Sequence, residues 1–213
     1  MKIVLALISF LIVLLLLSSC KTTVTESVPQ STQSEWLKNL ACDFPCWGKI
    51  TPQLTDFNKV TSILREENIP ITFENEKEIS FQFQSNISGS VQRATNGTVD
   101  NIILIVVDQK TRLDDIVQVI GQPEKVSIVR DLYGNTCNVV MLFEKKGTIL
   151  EFSLENHSDN PNTATDCQVD INMNSQVFRV IFIGNKINDS EFWRNASYSD
   201  LDYMEWKGYG KYP

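Results

Sequence analysis

The chain has 213 residues, 42% of them hydrophobic and 21% charged, with 26 acids against 19 bases and a net charge of −7. That length suits one domain of ordinary size and excludes several large ones, and the apolar content excludes wholesale disorder. The acidic balance excludes nucleic acid as the main partner, because phosphate binding needs a basic surface.

The first nineteen residues carry one charge, Lys2, followed by an uncharged run from Ile3 to Leu17. The run is shorter than the roughly 20 residues of a spanning helix, so it reads as the apolar centre of an export signal and not as part of the fold. It ends in Leu17-Ser18-Ser19-Cys20, which resembles the lipobox of bacterial lipoproteins. The resemblance implies cleavage before Cys20, with diacylglycerol thioether-linked to its thiol and further acylation, as by palmitate. Each buried methylene contributes about 0.8 kcal/mol, so several chains hold a protein firmly on a membrane. The expected organisation is a signal peptide at 1–19, a flexible Ser/Thr-rich tether at 20–34 that buries no core, and one folded domain at 35–213. The expected location is the extracytoplasmic face of a bacterial membrane, in the cell envelope.

Cys42, Cys46, Cys137 and Cys167 remain as an even set in an exported chain, where disulfides persist. Three pairings are open. Cys42–Cys46 with Cys137–Cys167 is favoured, because Cys42-Asp43-Phe44-Pro45-Cys46 is one tight segment and the second pair closes a loop of about 30 residues, for which chain entropy gives ~3–4 kcal/mol. A zinc site competes weakly, since Cys137 and Cys167 are far apart in sequence. A redox role for Cys42 and Cys46 is disfavoured by three intervening residues in place of two.

Two segments at an offset of 56 residues share one pattern, Thr55 to Leu64 and Thr111 to Ile120. Phe57, Val60, Ile63 and Leu64 match Leu113, Ile116, Val119 and Ile120, an apolar stripe at helical spacing. Thr55 and Thr111 are expected N-caps, with Asp114 completing a capping box. Asp114 and Asp115 could form a functional acidic pair, but acids complementing a helix start are the simpler reading. Asn68-Ile69-Pro70 and Gly121-Gln122-Pro123 supply the stops.

Strand signals come after each helix. Ile79, Phe81 and Phe83 alternate with Ser80, Gln82 and Gln84, and 101–107 is a short apolar run. After the second helix come strands expected at 125–130, 138–144, 148–154 and 176–183, with a hairpin turn at Lys145-Lys146-Gly147. Short hairpins favour antiparallel pairing. The predicted fold is therefore α+β, two helix-then-antiparallel-strand repeats with the helices packed on one face of a sheet. Repeat 1 spans about 50–107, repeat 2 about 108–183, and an aromatic segment 184–213 ends the chain.

This plan, with Gly121-Gln122-Pro123 closing a helix before a strand, resembles the β-lactamase inhibitor protein fold. It is also similar to small outer-membrane-assembly lipoproteins that contain half of it. Pro45-Cys46-Trp47-Gly48-Lys49-Ile50-Thr51-Pro52 resembles a motif of uncharacterised exported bacterial proteins, Pro-Cys-Trp-x-Gly-Ile-x-Pro-Gly-x-Thr. Here glycine precedes the variable residue, and Gln53 stands at the second glycine. The resemblance implies a scaffold for protein contacts and supplies no catalytic residue.

The chemistry-bearing residues are few. His157, the one histidine, lies in a turn-forming stretch with no evident acid to orient it, so a Ser-His-acid triad is not expected. The Asn/Asp-rich loop 156–166 could collect calcium, but Pro161 falls where a ligand should be and the turn glycine is missing. Five Asn-x-Ser/Thr sequences beside a lipobox read as chance. The C-terminal Trp206, Tyr209 and Tyr212 are either a partner or glycan surface or a cap on the fold. The function expected from sequence is a non-enzymatic, membrane-tethered binding or assembly module with a protein or glycan partner and no cofactor or metal. The alternative is an envelope hydrolase using paired carboxylates.

Overall fold

Alternating apolar residues dominate the chain after residue 70, and the computed structural model turns nearly all of them into strands. It describes residues 35–38, 45–107, 110–131, 135–157, 167–184, 186–195 and 198–213. The helices are α1 (Glu35–Lys38), α2 (Val60–Glu66), α3 (Leu113–Ile120) and α4 (Glu191–Asn195). The strands are β1 (Ile71–Glu74), β2 (Glu78–Gln84), β3 (Ile87–Arg93), β4 (Val99–Val106), β5 (Lys125–Arg130), β6 (Thr136–Phe143), β7 (Thr148–Glu155), β8 (Val169–Ile171), β9 (Arg179–Phe182), β10 (Met204–Glu205) and β11 (Gly210–Tyr212). Nine strands form one antiparallel sheet in the order β1-β2-β3-β4-β9-β7-β6-β5-β10, and β11 pairs with β8 separately.

This architecture overturns the expected α+β plan of two helix-then-strand repeats with helices packed on a sheet. The described residues are mostly β, and their helices are at most eight residues long. The apolar stripes do sit on helices: α2 buries Val60 and Leu64, and α3 buries Leu113, Ile116, Val117 and Ile120. Yet α2 ends at once before Asn68, which takes a left-handed φ of 56°, and α3 ends at Gly121, with φ of 99°. Beyond each helix the sequence is rich in β-branched and aromatic residues, which pair strand to strand. The β4–β9 ladder, Ile102 opposite Phe182 through Ile105 opposite Arg179, fuses both halves into one continuous sheet.

The helix starts also differ from expectation. Asp56, not Thr55, caps the short 3-10 turn that leads into α2, its carboxylate accepting from Asn58 N at 3.0 Å. Arg112 is the N-cap of α3, and Asp115 in place of Asp114 accepts from the Arg112 backbone N at 3.2 Å. Thr111 instead accepts a hydrogen bond from the indole of the buried Trp36 at 3.0 Å. A threonine has two uses for its hydroxyl, and a buried indole N–H in need of an acceptor took this one. Lys145-Lys146-Gly147 does join two strands, as a 3-10 turn closed by Gly147 in the left-handed region.

One sheet face carries the main core, with Phe81, Phe143, Phe152 and Phe182 packed in the same cluster as α2, α3, Trp36 and Trp47. Trp47 stacks on Phe81 at 4.7 Å between ring centroids. The other face carries a smaller cluster in which Ile149, Ile181 and Ile183 meet Ile187, Trp193 and Tyr198 of the C-terminal segment. Cys137 and Cys167 form a disulfide, Cα atoms 6.0 Å apart, that ties β6 to the start of β8. Cys46 is buried and disulfide-bonded, while Cys42 lies outside the described residues, as do Cys20, the signal segment and the tether.

Candidate binding surfaces

Strand alternation sends Ile79, Phe81 and Phe83 of β2 and Ile87, Gly89 and Val91 of β3 toward the main core. Their neighbours Ser80, Gln82, Ser88, Ser90 and Gln92 point to the opposite face, where all five are half-buried. Register assembles them into rows: Ser80 lies opposite Ser90, Gln82 opposite Ser88, and Gln92 opposite Asn101. Phe73 of β1 stands opposite Ser80 at 52% exposure, and Ile105 of β4 stands opposite Ser88 at 40%. The result is an open, mostly polar floor that also carries the Glu78 carboxylate, opposite Gln92, and Ile103, opposite Ser90, with Phe73 at one flank and Ile105 beside Arg179 at the other.

Part of this polar equipment is engaged within the fold. Gln82 Nε2 donates to the Ile87 carbonyl at 3.0 Å, and Ser80 Oγ donates to Glu78 at 3.3 Å. Asn101, fully buried at the floor's edge, donates from Nδ2 to Gln92 Oε1 at 2.9 Å. That bond leaves the Gln92 amide N–H groups unengaged, and Asn101 Oδ1 itself is buried without a partner. Among the described residues the hydroxyls of Ser88 and Ser90 make no side-chain hydrogen bond.

The same sheet face is covered farther along by the C-terminal segment, so the floor ends at a step. Asp100, buried in β4, accepts from Glu191 N at 3.0 Å, Phe192 N at 2.7 Å and Ser190 Oγ at 3.3 Å, fixing the start of α4. Glu191 in turn accepts from the side chain and backbone of Thr95, which hold its carboxyl below the usual range. Glu151 of β7, also buried, pairs with Arg179 at 2.6 Å and accepts from the Tyr198 hydroxyl. Burial, then the bond to Glu151, raises Tyr198; burial also raises Tyr203, so both phenols stay protonated. Asp100 and Glu151 thus anchor the C-terminal segment.

A cleft of about 390 Å³ lies beside this anchor, lined by Pro45, Thr51, Gln53, Leu54, Asn96 and Asp189 among others. Gln53 adopts a left-handed φ of 65°, and its amide clamps the Lys186 backbone, donating to the carbonyl at 2.8 Å and accepting from the N–H at 3.3 Å. Beneath it Gly184 lies so close that a Cβ would come within 2.7 Å of Gln53 Cδ. Leu54 projects from this turn at 78% exposure.

The aromatics Trp206, Tyr209 and Tyr212 are brought together, but against the molecule itself. Trp206 stacks on Tyr212 at 5.7 Å and donates to Gln122 at 2.8 Å; Tyr209 donates to Asp114 at 3.2 Å; Tyr212 is buried, with its hydroxyl donating to Gly208 O at 2.7 Å. Asp114 and Asp115 therefore serve a C-terminal contact and a helix cap. His157 is exposed, its backbone N–H donating to Gln168 O, and residues 158–166 of the adjoining Asn/Asp-rich loop lie outside the described residues. Among the described residues no three His, Cys, Asp or Glu side chains form a group fit for a metal ion, and no helix is long and apolar enough to cross a membrane. Sequence reasoning missed the floor, although its signal was present: apart from Glu78, the outward positions of two consecutive strands are serine or glutamine. No family model, no curated protein and no solved structure matches this chain.

Proposed function

We propose that the chain is a lipid-anchored, extracytoplasmic binding module that presents the β1–β4 floor to a partner and catalyses no reaction. The observation that carries this reading is the floor: an open, mostly polar stretch of one sheet face, held rigid by strand pairing and bounded by the anchored C-terminal segment. Rigid elements suit recognition because little ordering entropy is lost on binding. The tether rests on Cys20 after Leu17-Ser18-Ser19 and on the Ser/Thr-rich stretch behind it. The buried acids Asp100 and Glu151 are engaged by donors of the fold, which favours binding over paired-carboxylate hydrolysis.

Two measurements test the parts separately. Cys20→Ser should abolish acylation and release the chain from the membrane fraction; mass spectrometry finding an intact Met1, or cleavage elsewhere, removes the lipid anchor. A photo-crosslinking side chain at Ser90 should capture an envelope component in intact cells, and the same group at the exposed Lys186 should not. Equal capture from both positions, or none from Ser90, removes the floor as a binding surface.

A further inference from the structure

We propose that Asn96-Gly97 is a self-modifying site, where the folded chain converts the Asn96 amide to a carboxylate and so loosens its own C-terminal segment. The site lies apart from the floor and holds whatever the floor binds. Asn96-Gly97 is the one Asn-Gly pair in the chain. Glycine has no side chain to shield its backbone nitrogen, so that nitrogen can approach the amide carbon of the residue before it. Asn96 is exposed in the turn between β3 and β4, and Gly97 holds a left-handed φ of 89°. The space around Gly97 is open: the nearest atom to a Cβ built there is Arg93 Nη2, at 3.7 Å. Asn96 also lines the cleft of about 390 Å³, which gives water access to it.

The step consumes only water. Hydroxide takes the Gly97 amide proton, which donates to the Ala94 carbonyl at 3.0 Å in the resting turn. The freed nitrogen bonds to Asn96 Cγ, and negative charge gathers on Oδ1. The Cγ–Nδ2 bond then breaks, and ammonia leaves with a proton from water. A five-membered imide remains, and water opens it at either carbonyl to an aspartyl or isoaspartyl residue. In sum, water enters, ammonia departs, and the chain gains one negative charge. Thr98 is placed to favour the attack, because its N–H at 3.0 Å and its hydroxyl at 2.7 Å both donate to Asn96 Oδ1. Donors aimed at the atom where charge develops lower the barrier. The Arg93 guanidinium adds a positive charge on the Gly97 side. The acids nearby are already engaged: Glu191 by Thr95, Asp100 by the start of α4, and Asp189 by Lys186 at 4.0 Å.

The consequence follows from what this turn holds. On one side of Asn96, the Thr95 N–H and hydroxyl bind Glu191 and help to fix α4. On the other, the Gly97 carbonyl accepts from Phe57 N at 3.1 Å, and Thr98 bridges to Asp56. An isoaspartyl link inserts a methylene into the main chain between these two ties, so both cannot keep their geometry. Either product also sets a new carboxylate in the cleft that Asp100 and Asp189 line, where like charges repel. The tie that gives way is the exposed one, Thr95 to Glu191.

The full-length chain in detergent, incubated in mildly alkaline buffer beside a synthetic peptide of residues 92–100, tests this. Mass spectrometry follows the change from amide to acid at position 96 in both. The folded chain should convert at least as fast as the peptide. Thr98→Val should slow the folded chain about tenfold, as loss of a hydrogen bond to a developing anion does, and leave the peptide unchanged. Thr98→Ser should keep the parent rate, and Asn96→Gln should block conversion. If Thr98→Val does not melt like the parent, Arg93→Gln replaces it and should slow conversion in the folded chain alone. The converted chain, separated by anion exchange, should lose its C-terminal segment to a protease several-fold faster than the parent. Slower conversion in the folded chain than in the peptide overturns the site, as do equal rates with and without the Thr98 hydroxyl or, in its replacement, the Arg93 charge. Proteolysis of the converted chain at the parent's rate overturns the loosening.

Discussion

Gln53 holds a left-handed backbone in a place where glycine would cost nothing, and it does so because its side chain grips the Lys186 peptide from both sides. For a residue with a Cβ that conformation costs about 1–2 kcal/mol, which the two hydrogen bonds offset. Gln53→Ala keeps the strain and loses the clamp, whereas Gln53→Gly loses both. Urea denaturation should therefore rank the parent first, glycine next and alanine last, with alanine about 1 kcal/mol below glycine. Equal stabilities for the two variants would show that the turn relaxes out of the left-handed region. Gly89 makes the opposite case. A Cβ there would fall 2.3 Å from Phe81 Cζ and 2.9 Å from Leu104 Cδ2, so Gly89→Ala should displace the ring stacked on Trp47 and cost about 1–3 kcal/mol. Neither demand was legible in sequence. The resemblance to an exported-protein motif marked position 53 as unusual, but only the chain's path shows that the position is left-handed. Gly89 read as one more small residue in a strand.

Among elements, legibility followed periodicity. The alternation in β2 and the apolar run of β4 predicted strands, and the stripes on α2 and α3 predicted helices, because both patterns are set by the backbone itself. The stops expected at Asn68 and Gly121 do end both helices, but strand pairing across β4 and β9 is a contact between residues some 80 positions apart, which no local pattern signals. The caps slipped by one residue for a related reason: Thr111 was claimed by Trp36, which no local rule connects to it. The buried stripes still have definite worth. Leu64→Ala and Ile120→Ala should each cost about 2–5 kcal/mol, as core truncations do. Trp206→Ala belongs beside them, because Trp206 packs on the main cluster and stacks on Tyr212. It should cost about 1–3 kcal/mol in thermal melts, in keeping with a half-buried ring. Unchanged melting for Trp206→Ala would return the C-terminal aromatics to the role of an outward-facing surface.

At the scale of the whole molecule, the C-terminal segment is a strap fastened across the sheet by Asp100 and Glu151, and its phenols give the strap a pH dependence. Burial first, and then Glu151, raises Tyr198 above its ordinary 10; burial followed by Glu151 and Glu144 raises Tyr203; burial followed by Asp114 pushes Tyr209 up to about 12. A raised phenol means that the folded chain keeps protons which the unfolded chain releases. This contribution is therefore complete below pH 10 and is lost as pH rises from there through the raised folded values. Unfolding free energies from urea titrations should be flat from neutrality to about pH 9.5 and then fall, Tyr198 and Tyr203 each adding up to about 1.4 kcal/mol per pH unit to the slope and the more exposed Tyr209, screened by solvent, adding less. Tyr198→Phe removes one such group. It should lower stability at neutral pH by about 1 kcal/mol, through the lost bond to Glu151, and make the alkaline fall shallower by one tyrosine's share. The same fall in Tyr198→Phe as in the parent would mean that the strap opens for another reason, such as deprotonation of the lysines that pair with Glu124 and Glu144 beside it. Lys145→Arg and Lys125→Arg, which keep their charge in alkali, would then flatten the curve where Tyr198→Phe did not.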